Sequence, residues 1–305
     1  MARGPLFGLP IDCTLGDDCY IQHFVDSDPS PERRDFRCGL TTYEGHKGTD
    51  FALPSLRAME LGVNVIAAAP GTVIGLRDGV PDQIYSAENA DQVEGIECGN
   101  GVVIRHGDGW TTQYCHLEQD SVSVIKGQRV AMGAVLGRVG LSGKTQFPHV
   151  HLTLRKDNEV VDPFAPAAES CGAPETEKTL WLEAPDYEPG GVITAGFATK
   201  VPEYADIKAG TAAERDIDVT APALVLWGFG HMAQEGDVFS LRLMGPDGEI
   251  TQNSQPLTRN RALFFRAAGK KRTQDEWPAG TYTGIVELFR GGQMIDTRQV
   301  VQRIE

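Results

Sequence analysis

The stretch Phe147-Pro148-His149-Val150-His151-Leu152-Thr153-Leu154 alternates polar and apolar side chains. Successive side chains of a β-strand point to opposite faces, so His149, His151 and Thr153 share one face and the apolar residues share the other. The pattern predicts a strand with one buried face and one face that carries two imidazoles. Neutral histidine is the commonest zinc ligand, but a spacing of two residues is too short to assume that both rings bind one ion. We therefore expect one metal ligand and one catalytic group, with partners elsewhere in the chain.

Length, hydropathy and charge limit the classes of protein that fit. The 305 residues, 41% of them hydrophobic, suffice for two folded domains. No apolar run approaches the ~18 residues of a membrane span. The formal net charge is −14, and the only dense basic cluster is Lys270-Lys271-Arg272. Nucleic-acid binding needs a larger cationic surface. We expect a folded monomer that neither spans a membrane nor binds nucleic acid.

Six cysteines lie among loops rich in glycine and proline, and this usage predicts three disulfides. The two nearest in sequence form one expected pair, and a Gly-Asn-Gly bend between neighbouring strands favours a second. The predicted pairs are Cys13–Cys19, Cys98–Cys115 and, by elimination, Cys38–Cys171.

Disulfides persist in oxidising compartments, which favours a periplasmic or secreted protein. The first ten residues lack the apolar core of a signal peptide. We therefore expect a mature exported form whose leader was removed and replaced by Met1. A reduced cytosolic chain is the alternative.

Residues 1–45 contain several prolines and little periodicity, so they predict an irregular segment packed on a domain. His23 in this segment has no partner at ligand spacing, and we expect it to be structural or exposed. The next stretch places His46 and Asp50 four positions apart, among glycines that argue against a helix. We expect a loop that enters a strand, where the bend can bring both side chains to one ion. The alternative is a histidine in a turn before an unrelated aspartate.

Residues 62–140 contain five short runs that are rich in β-branched residues and bounded by turn signals. They predict an antiparallel sheet. The turn His-Gly-Asp-Gly at 106–109 predicts a hairpin. Along its returning strand, Thr112, Tyr114 and His116 are expected to share a face, which makes His116 a further candidate for the site.

These pieces together resemble the lysostaphin-type (LytM-type) zinc endopeptidases, which cut peptidoglycan peptides. The resemblance covers roughly residues 40–165, and its five polar residues occur in the family's order and spacing. It implies one zinc ion per chain, with His46, Asp50 and His151 as ligands and His116 and His149 as catalytic histidines. The strand after His151 lacks the acidic residue that the family often has near this point, so a peripheral contact is expected to differ.

The implied ligand set has a chemical rationale. Two neutral imidazoles and one carboxylate leave zinc with an open position and a bound water whose pKa is ~7. Another group must accept the proton of that water and return one to the leaving amine. The chain has no His-Glu-x-x-His motif, so no glutamate is placed for this role. His116 and His149 are available to orient the water, stabilise the oxyanion or transfer the proton.

Composition changes after residue 166, where a segment rich in alanine, glutamate and proline predicts a linker at 167–178. It would separate a zinc endopeptidase domain at 46–166 from a second domain at 179–305. Five strand-like runs with strong turn signals predict an immunoglobulin-like β-sandwich there. The whole chain is thus expected to be mainly β, with an antiparallel metallopeptidase sheet followed by the sandwich. Three tryptophans are expected in the sandwich core rather than on a glycan-binding surface: Trp181, Trp227 and Trp277.

We predict a zinc-dependent endopeptidase that hydrolyses peptide bonds in peptidoglycan stem or crosslink peptides, with the sandwich used for placement or binding. Loops at 75–97 and 140–147 are expected to form walls on either side of the metal. A groove of this kind would admit an extended peptide with small side chains. Two alternatives stay open: a secreted protease for glycine-rich proteins, and a catalytically inactive wall-binding or activator scaffold of the same fold.

Overall fold

The computed structural model describes residues 5–168, 170–172 and 179–305. The chain divides into two compact units, Met1–Tyr187 and Glu188–Glu305. The elements of the first unit are β1 (Tyr20–His23), β2 (Thr49–Ala52), α1 (Leu56–Glu60), β3 (Asn64–Ile66), β4 (Gly71–Arg77), α2 (Ala90–Val93), β5 (Asn100–Gly107), β6 (Trp110–Leu117), β7 (Arg129–Val130), β8 (Val135–Arg138), β9 (His149–Lys156) and β10 (Glu159–Val161).

The main sheet of the first unit has the strand order β1-β2-β9-β6-β5-β4-β7, with β10 paired to β9. All of these pairings are antiparallel, which confirms the predicted sheet type. The five runs expected between residues 62 and 140 are strands, but β3 and β8 form a separate two-stranded sheet. Because β9 lies between β2 and β6, the segments around Asp50, His116 and His151 become neighbours.

One face of the main sheet packs into the hydrophobic core. Val150, Leu152 and Leu154 of β9 are each no more than 1% exposed, and they join a cluster that includes Phe51 and Tyr114. Burial of three such side chains contributes about 1.5–3 kcal/mol each to folding. The polar residues that alternate with them therefore face away from the core, so the predicted two-faced character of β9 is confirmed.

Three disulfides tie down the loops of this unit, and all three predicted pairings are confirmed. Cys38–Cys171 joins the N-terminal segment to the chain that follows the sheet, across 133 residues. A crosslink of this kind stabilises a fold by about 2–4 kcal/mol, because it constrains the unfolded chain. The other two bridges are Cys13–Cys19 and Cys98–Cys115.

The linker predicted at 167–178 lies partly outside the described residues, which omit 169 and 173–178. The second unit begins at Glu188, nine residues later than the expected start at 179. The boundary lies later than expected because the residues that follow 173–178 pack into the first unit.

Leu180 and Trp181 belong to the first unit. The N–H of Phe7 donates to the carbonyl oxygen of Leu180 at 2.8 Å. Trp181 is 4% exposed, and its ring centroid lies 5.3 Å from that of Phe164. Trp181 is therefore a core residue, as expected, but of the first unit rather than of the sandwich.

The second unit consists of two antiparallel sheets with the orders β11-β12-β15 and β14-β13-β16-β17. Both sheets contribute to one core, with Leu226, Phe239, Phe264 and Val286 at most 5% exposed. Its elements are β11 (Gly191–Ala198), α3 (Tyr204–Ala209), β12 (Ala223–Ala233), β13 (Val238–Gly245), β14 (Gly248–Pro256), β15 (Arg261–Lys271), β16 (Gly280–Arg290) and β17 (Gln293–Ile304).

The fourth strand of this unit, β14, pairs with the third, whereas in constant-type immunoglobulin domains the fourth strand joins the sheet of the first, second and fifth. Trp227 and Trp277 are 3% and 8% exposed, so their predicted burial is confirmed. Within the described residues, no helix has the length and apolar character that crossing a membrane requires.

Candidate metal centre

Three side chains converge at one end of β2 and β9. Asp50 and His151 are directly opposite each other on these strands, so they project from the same face of the sheet. Asp50 Oδ1 lies 2.7 Å from His151 Nδ1. His46, in the loop before β2, brings its Nε2 to 3.2 Å from Asp50 Oδ1 and 3.1 Å from His151 Nδ1. The structure thus brings together the three residues that the resemblance names as ligands.

The spacing of these atoms suits a single metal ion. Zinc bonds of about 2.0 Å in tetrahedral geometry place two ligand atoms about 3.3 Å apart. The three candidate atoms lie between 2.7 and 3.2 Å from one another. Only a small outward movement would therefore be needed to surround an ion. Two imidazole nitrogens and one carboxylate oxygen are also a donor set that zinc accepts.

Hydrogen bonds on the far side of each imidazole fix which nitrogen faces the centre. His46 Nδ1–H donates to the carbonyl oxygen of Phe24 at 2.6 Å. His151 Nε2–H donates to Thr153 Oγ1 at 3.0 Å. Each bond leaves the other nitrogen, which faces Asp50, as the atom that can bind a metal ion. The Thr153 hydroxyl thus provides a partner for His151 on a strand that lacks the family's acidic residue.

Gly48 allows the loop of His46 to pass close to β9. A Cβ atom at Gly48 would lie 2.6 Å from His151 Nε2 and 2.6 Å from the carbonyl oxygen of Leu152. Any side chain there would displace the ring of His151. The sequence suggested that glycines here help the backbone turn. The structure shows that Gly48 is also needed because there is no room for a side chain beside His151.

Asp50 is held in its ionised form. Burial alone would raise its pKa, but the surrounding histidines outweigh this effect and hold the pKa of Asp50 well below its usual range. The side chain is 4% exposed, so water screens these interactions little. The carboxylate is therefore available to a cation throughout the neutral pH range.

His116 and His149 form a second pair beside this cluster, with ring centroids 4.7 Å apart. His116 Nδ1–H donates to the carbonyl oxygen of Ser142 at 2.8 Å. His149 Nδ1–H donates to the carbonyl oxygen of Phe147 at 2.8 Å, and its Nε2 lies 3.5 Å from Asp50 Oδ1. In both rings these bonds leave Nε2 as the atom that can accept a proton.

Burial keeps both rings neutral. Burial, together with the smaller effects of the neighbouring His149 and His151, lowers the pKa of His116 to about 3. Burial also lowers the pKa of His149. Near pH 7 each ring is therefore a hydrogen-bond acceptor at Nε2 rather than an imidazolium.

His116 reaches the site by a route that the sequence did not indicate. Cys115 is opposite His151 and Tyr114 is opposite Leu152, so strict alternation would turn His116 toward the core. The prediction that His116 shares a face with Thr112 and Tyr114 was therefore wrong, because both of those side chains are buried in the core.

A β-bulge reverses the alternation at this point. Asn100 pairs with Leu117 and Val102 pairs with Tyr114, which leaves Gly101 of β5 opposite two residues of β6, Cys115 and His116. His116 also has a left-handed φ of 64°. Bulges redirect side chains in this way beside functional sites.

His23 also lies at the site, although the sequence suggested no partner for it. Its Nδ1 is 3.0 Å from Asp50 Oδ2, and its side chain is 15% exposed. The two residues are 27 positions apart, so no local spacing connects them. Only the pairing of β1 with β2 makes them neighbours.

The two loops that were expected to flank the metal on opposite sides pair with each other instead. The N–H of Tyr85 donates to the carbonyl oxygen of Thr145 at 2.8 Å, and Asp82 forms a β-bridge with Ser142. The expectation of two separate walls was therefore wrong. These paired loops border the site at its His116 end. At the His46 end lies Tyr43, which is 46% exposed and packs against His46 in a tilted arrangement, with ring centroids 4.3 Å apart.

Comparison with known proteins gives consistent matches for the first unit. Residues 44–163 match the pattern described as Peptidase family M23. The peptidoglycan DD-endopeptidase ShyA of Vibrio cholerae is 34% identical over 109 residues, which are 36% of this chain and 20% of ShyA. The cell division protein DipM of Caulobacter vibrioides is 35% identical over 105 residues, which are 34% of this chain and 16% of DipM.

Among solved structures, a zinc-containing peptidase from Vibrio cholerae matches with 26% identity and a TM-score of 0.35. The match covers 55% of this chain and 41% of that one. The chain thus spans about a fifth of the length of the curated relatives named above.

Proposed function

We propose, since residues 44–163 belong to peptidase family M23, that this chain is a zinc-dependent endopeptidase acting on peptide bonds in peptidoglycan stem or crosslink peptides. The observation that carries the proposal is the convergence of His46 Nε2, Asp50 Oδ1 and His151 Nδ1 within 3.2 Å of one another. The similarity to ShyA, a peptidoglycan DD-endopeptidase, supports the substrate class.

Each residue of the site has a role in this proposal. His46, Asp50 and His151 bind the metal. When bound, zinc polarises a peptide carbonyl and activates water near neutral pH. His116 and His149, both neutral at the start, can accept a proton at Nε2; once protonated, Nε2–H can return the proton to the leaving amine or donate a hydrogen bond to the developing oxyanion. The carbonyl oxygens of Ser142 and Phe147 keep both rings in the tautomer that this requires.

We further propose that the protein acts as a monomer in the periplasm or outside the cell. Three disulfides support an oxidising compartment. The second unit is proposed to be an immunoglobulin-like sandwich that places the catalytic unit on the wall, and its seven strands in two antiparallel sheets support this class. Because the chain is acidic, with a net charge of −14, recognition of an anionic wall should depend on shape rather than on charge.

The test is digestion of purified crosslinked peptidoglycan by the zinc-loaded protein. We expect new amino termini in the soluble products, no new reducing sugar ends, and much slower cleavage of casein. Mass spectrometry of the released peptides then identifies the scissile bond. The His151→Ala variant, which lacks a proposed ligand, is the matched control for contaminating hydrolases.

Two other outcomes would overturn the proposal. Efficient cleavage of casein or of a glycine-rich protein with inert peptidoglycan would identify a general secreted protease. No hydrolysis of any substrate by a fully zinc-loaded protein, together with binding to the wall, would identify an inactive scaffold.

A further inference from the structure

His23 lies outside the part of the chain that matches the peptidase family, which begins at residue 44. Nevertheless it makes a direct contact with a proposed metal ligand, because its Nδ1 is 3.0 Å from Asp50 Oδ2. The other carboxylate oxygen, Oδ1, is the one that faces His46 and His151. The two oxygens of Asp50 thus have different partners on opposite sides.

A bulge in β1 produces this contact. Tyr20 pairs with Ala52 and Ile21 with Phe51, so a regular ladder would place Gln22 opposite Asp50. The register instead shifts after Ile21, and His23 stands opposite Asp50. Residues directly opposite in an antiparallel pair project from the same face. His23, Asp50 and His151 therefore form a row across β1, β2 and β9.

The residue after His23 supports a second ligand. The carbonyl oxygen of Phe24 accepts the Nδ1–H of His46 at 2.6 Å. Phe24 itself is fully buried, and its ring lies 5.1 Å from that of Phe164 by centroid. Two consecutive residues of the N-terminal segment thus contact two of the three proposed ligands from a fixed position.

Packing also fixes the ring of His23. It meets the rings of Tyr43 and His46 edge to face, with centroids 5.2 Å and 5.7 Å away. A ring held on two sides can keep one hydrogen bond in a constant direction. The hydrogen bond to Oδ2 then restrains rotation of the Asp50 carboxylate about its terminal bond.

We propose that His23 is a positioning residue of the metal centre, whose Nδ1–H holds Asp50 Oδ2 so that Oδ1 alone is presented to the ion. This inference rests on the proposed function of the site. His23 is not itself a ligand in this scheme, since its contact is with the oxygen that faces away from the His46 and His151 nitrogens. Hydrogen-bond partners of metal ligands typically contribute 10- to 100-fold to metal affinity.

The test compares zinc affinity in three variants by competition with a chromophoric chelator. We expect His23→Ala to weaken zinc binding by about 10- to 100-fold. His23→Asn places an amide N–H where Nδ1–H stood, and we expect it to bind zinc within about threefold of the wild type. Gln22→Ala, in the same bulge, is the matched control and should leave affinity unchanged.

A second measurement separates positioning from general damage to the fold. The visible spectrum of the cobalt-substituted protein reports on ligand geometry. We expect it to change in His23→Ala and to return in His23→Asn. Excess zinc should restore hydrolysis in His23→Ala, because the three ligands remain and mass action refills the site.

Three results would overturn the inference. Wild-type affinity and an unchanged cobalt spectrum in His23→Ala would show that the hydrogen bond is dispensable. Equal losses in His23→Ala and His23→Asn would mean that the ring acts only as packing. A loss of zinc as complete as in His46→Ala would make His23 a ligand.

If His23→Ala does not fold, the zinc affinities of His23→Asn and His23→Gln test the inference instead. The amide of Gln extends past the Nδ1 position, so only Asn should retain affinity, and equal affinities would overturn the inference. Failure of the proposed function is distinguishable from all of these results. In that case the wild-type protein itself would bind zinc weakly, or would bind it tightly and hydrolyse nothing.

Discussion

Strands β9 and β6 both supply histidines to the site, but they do so by different geometry. β9 is a regular strand in which His149 and His151, two residues apart, project from the same face. β6 is regular only as far as Tyr114, after which a bulge and a left-handed φ of 64° turn His116 onto that same face. Two-residue alternation therefore identifies which side chains share a face on a regular strand. It gives the wrong face beyond a bulge, where one strand of the pair has an extra residue.

The bulge of β6 persists because its surroundings hold it. The N–H of His116 donates to the carbonyl oxygen of Cys98 at 2.8 Å, and Cys98 is bonded to Cys115. The carbonyl oxygen of Ser142 holds the imidazole. A left-handed conformation costs about 1–2 kcal/mol for a residue with a Cβ, so several contacts must compensate. β1 also has a bulge, after Ile21, which brings His23 opposite Asp50.

The largest expected effect is a difference in bound zinc between variants of the two histidines on β9, His149 and His151. His151→Ala should lower bound zinc far below one per chain and abolish hydrolysis, because it removes a proposed ligand. His149→Ala and His116→Ala should keep zinc and lower kcat by about 10²- to 10⁴-fold, because they remove proton transfer. Mass spectrometry measures the zinc content of each variant, and digestion of purified walls measures its kcat. Full zinc occupancy in His151→Ala, or zinc loss in His149→Ala, would reverse the assignment on β9.

A smaller effect is expected from disturbing the bulge without touching a histidine. A Cβ at Gly101 would overlap the carbonyl oxygen of Tyr114 and lie 3.0 Å from Cys98 Sγ. We expect Gly101→Ala to displace His116 and lower kcat by up to about 10²-fold, since a shift of ~1 Å has that effect, while zinc stays bound.

Gly75→Ala on the adjacent strand β4 is the matched control for this variant. Its Cβ would meet only Val103 Cβ at 3.9 Å, which is ordinary contact. Its kcat should stay close to that of the wild type. Equal kcat in Gly101→Ala and in the wild type would show that the position of His116 does not depend on the bulge.

The smallest effect compares glycine and alanine at the two positions proposed to be catalytic, 116 and 149. At His116 the left-handed φ favours glycine, so His116→Gly should be more stable than His116→Ala by about 1 kcal/mol. At His149, in a regular strand, His149→Gly should be less stable than His149→Ala by about 0.5–1 kcal/mol. Urea unfolding of the four variants measures both differences. If glycine were more stable than alanine at both positions, or less stable at both, the proposed difference in backbone conformation between β6 and β9 would be wrong.

Local pattern was sufficient for β9 and for the disulfides. The alternation around His149 and His151 depends only on the pleat of one strand, so the sequence by itself determined a two-faced strand. Sequence proximity and the Gly-Asn-Gly bend favoured two of the disulfide pairs and left the third by elimination, and the structure contains all three. The mainly antiparallel β character followed from short β-branched runs separated by turn residues.

Features that depend on pairing between distant segments required the tertiary structure. The face of His116 depends on which residues of β5 oppose it, and the contact of His23 with Asp50 depends on a register shift between strands 27 residues apart. Trp181 joins the first unit because Phe7, far away in sequence, binds its neighbour Leu180. The choice of hydrogen-bonding partner between strands carries little local sequence signal, because every residue except proline offers the same backbone N–H and C=O groups.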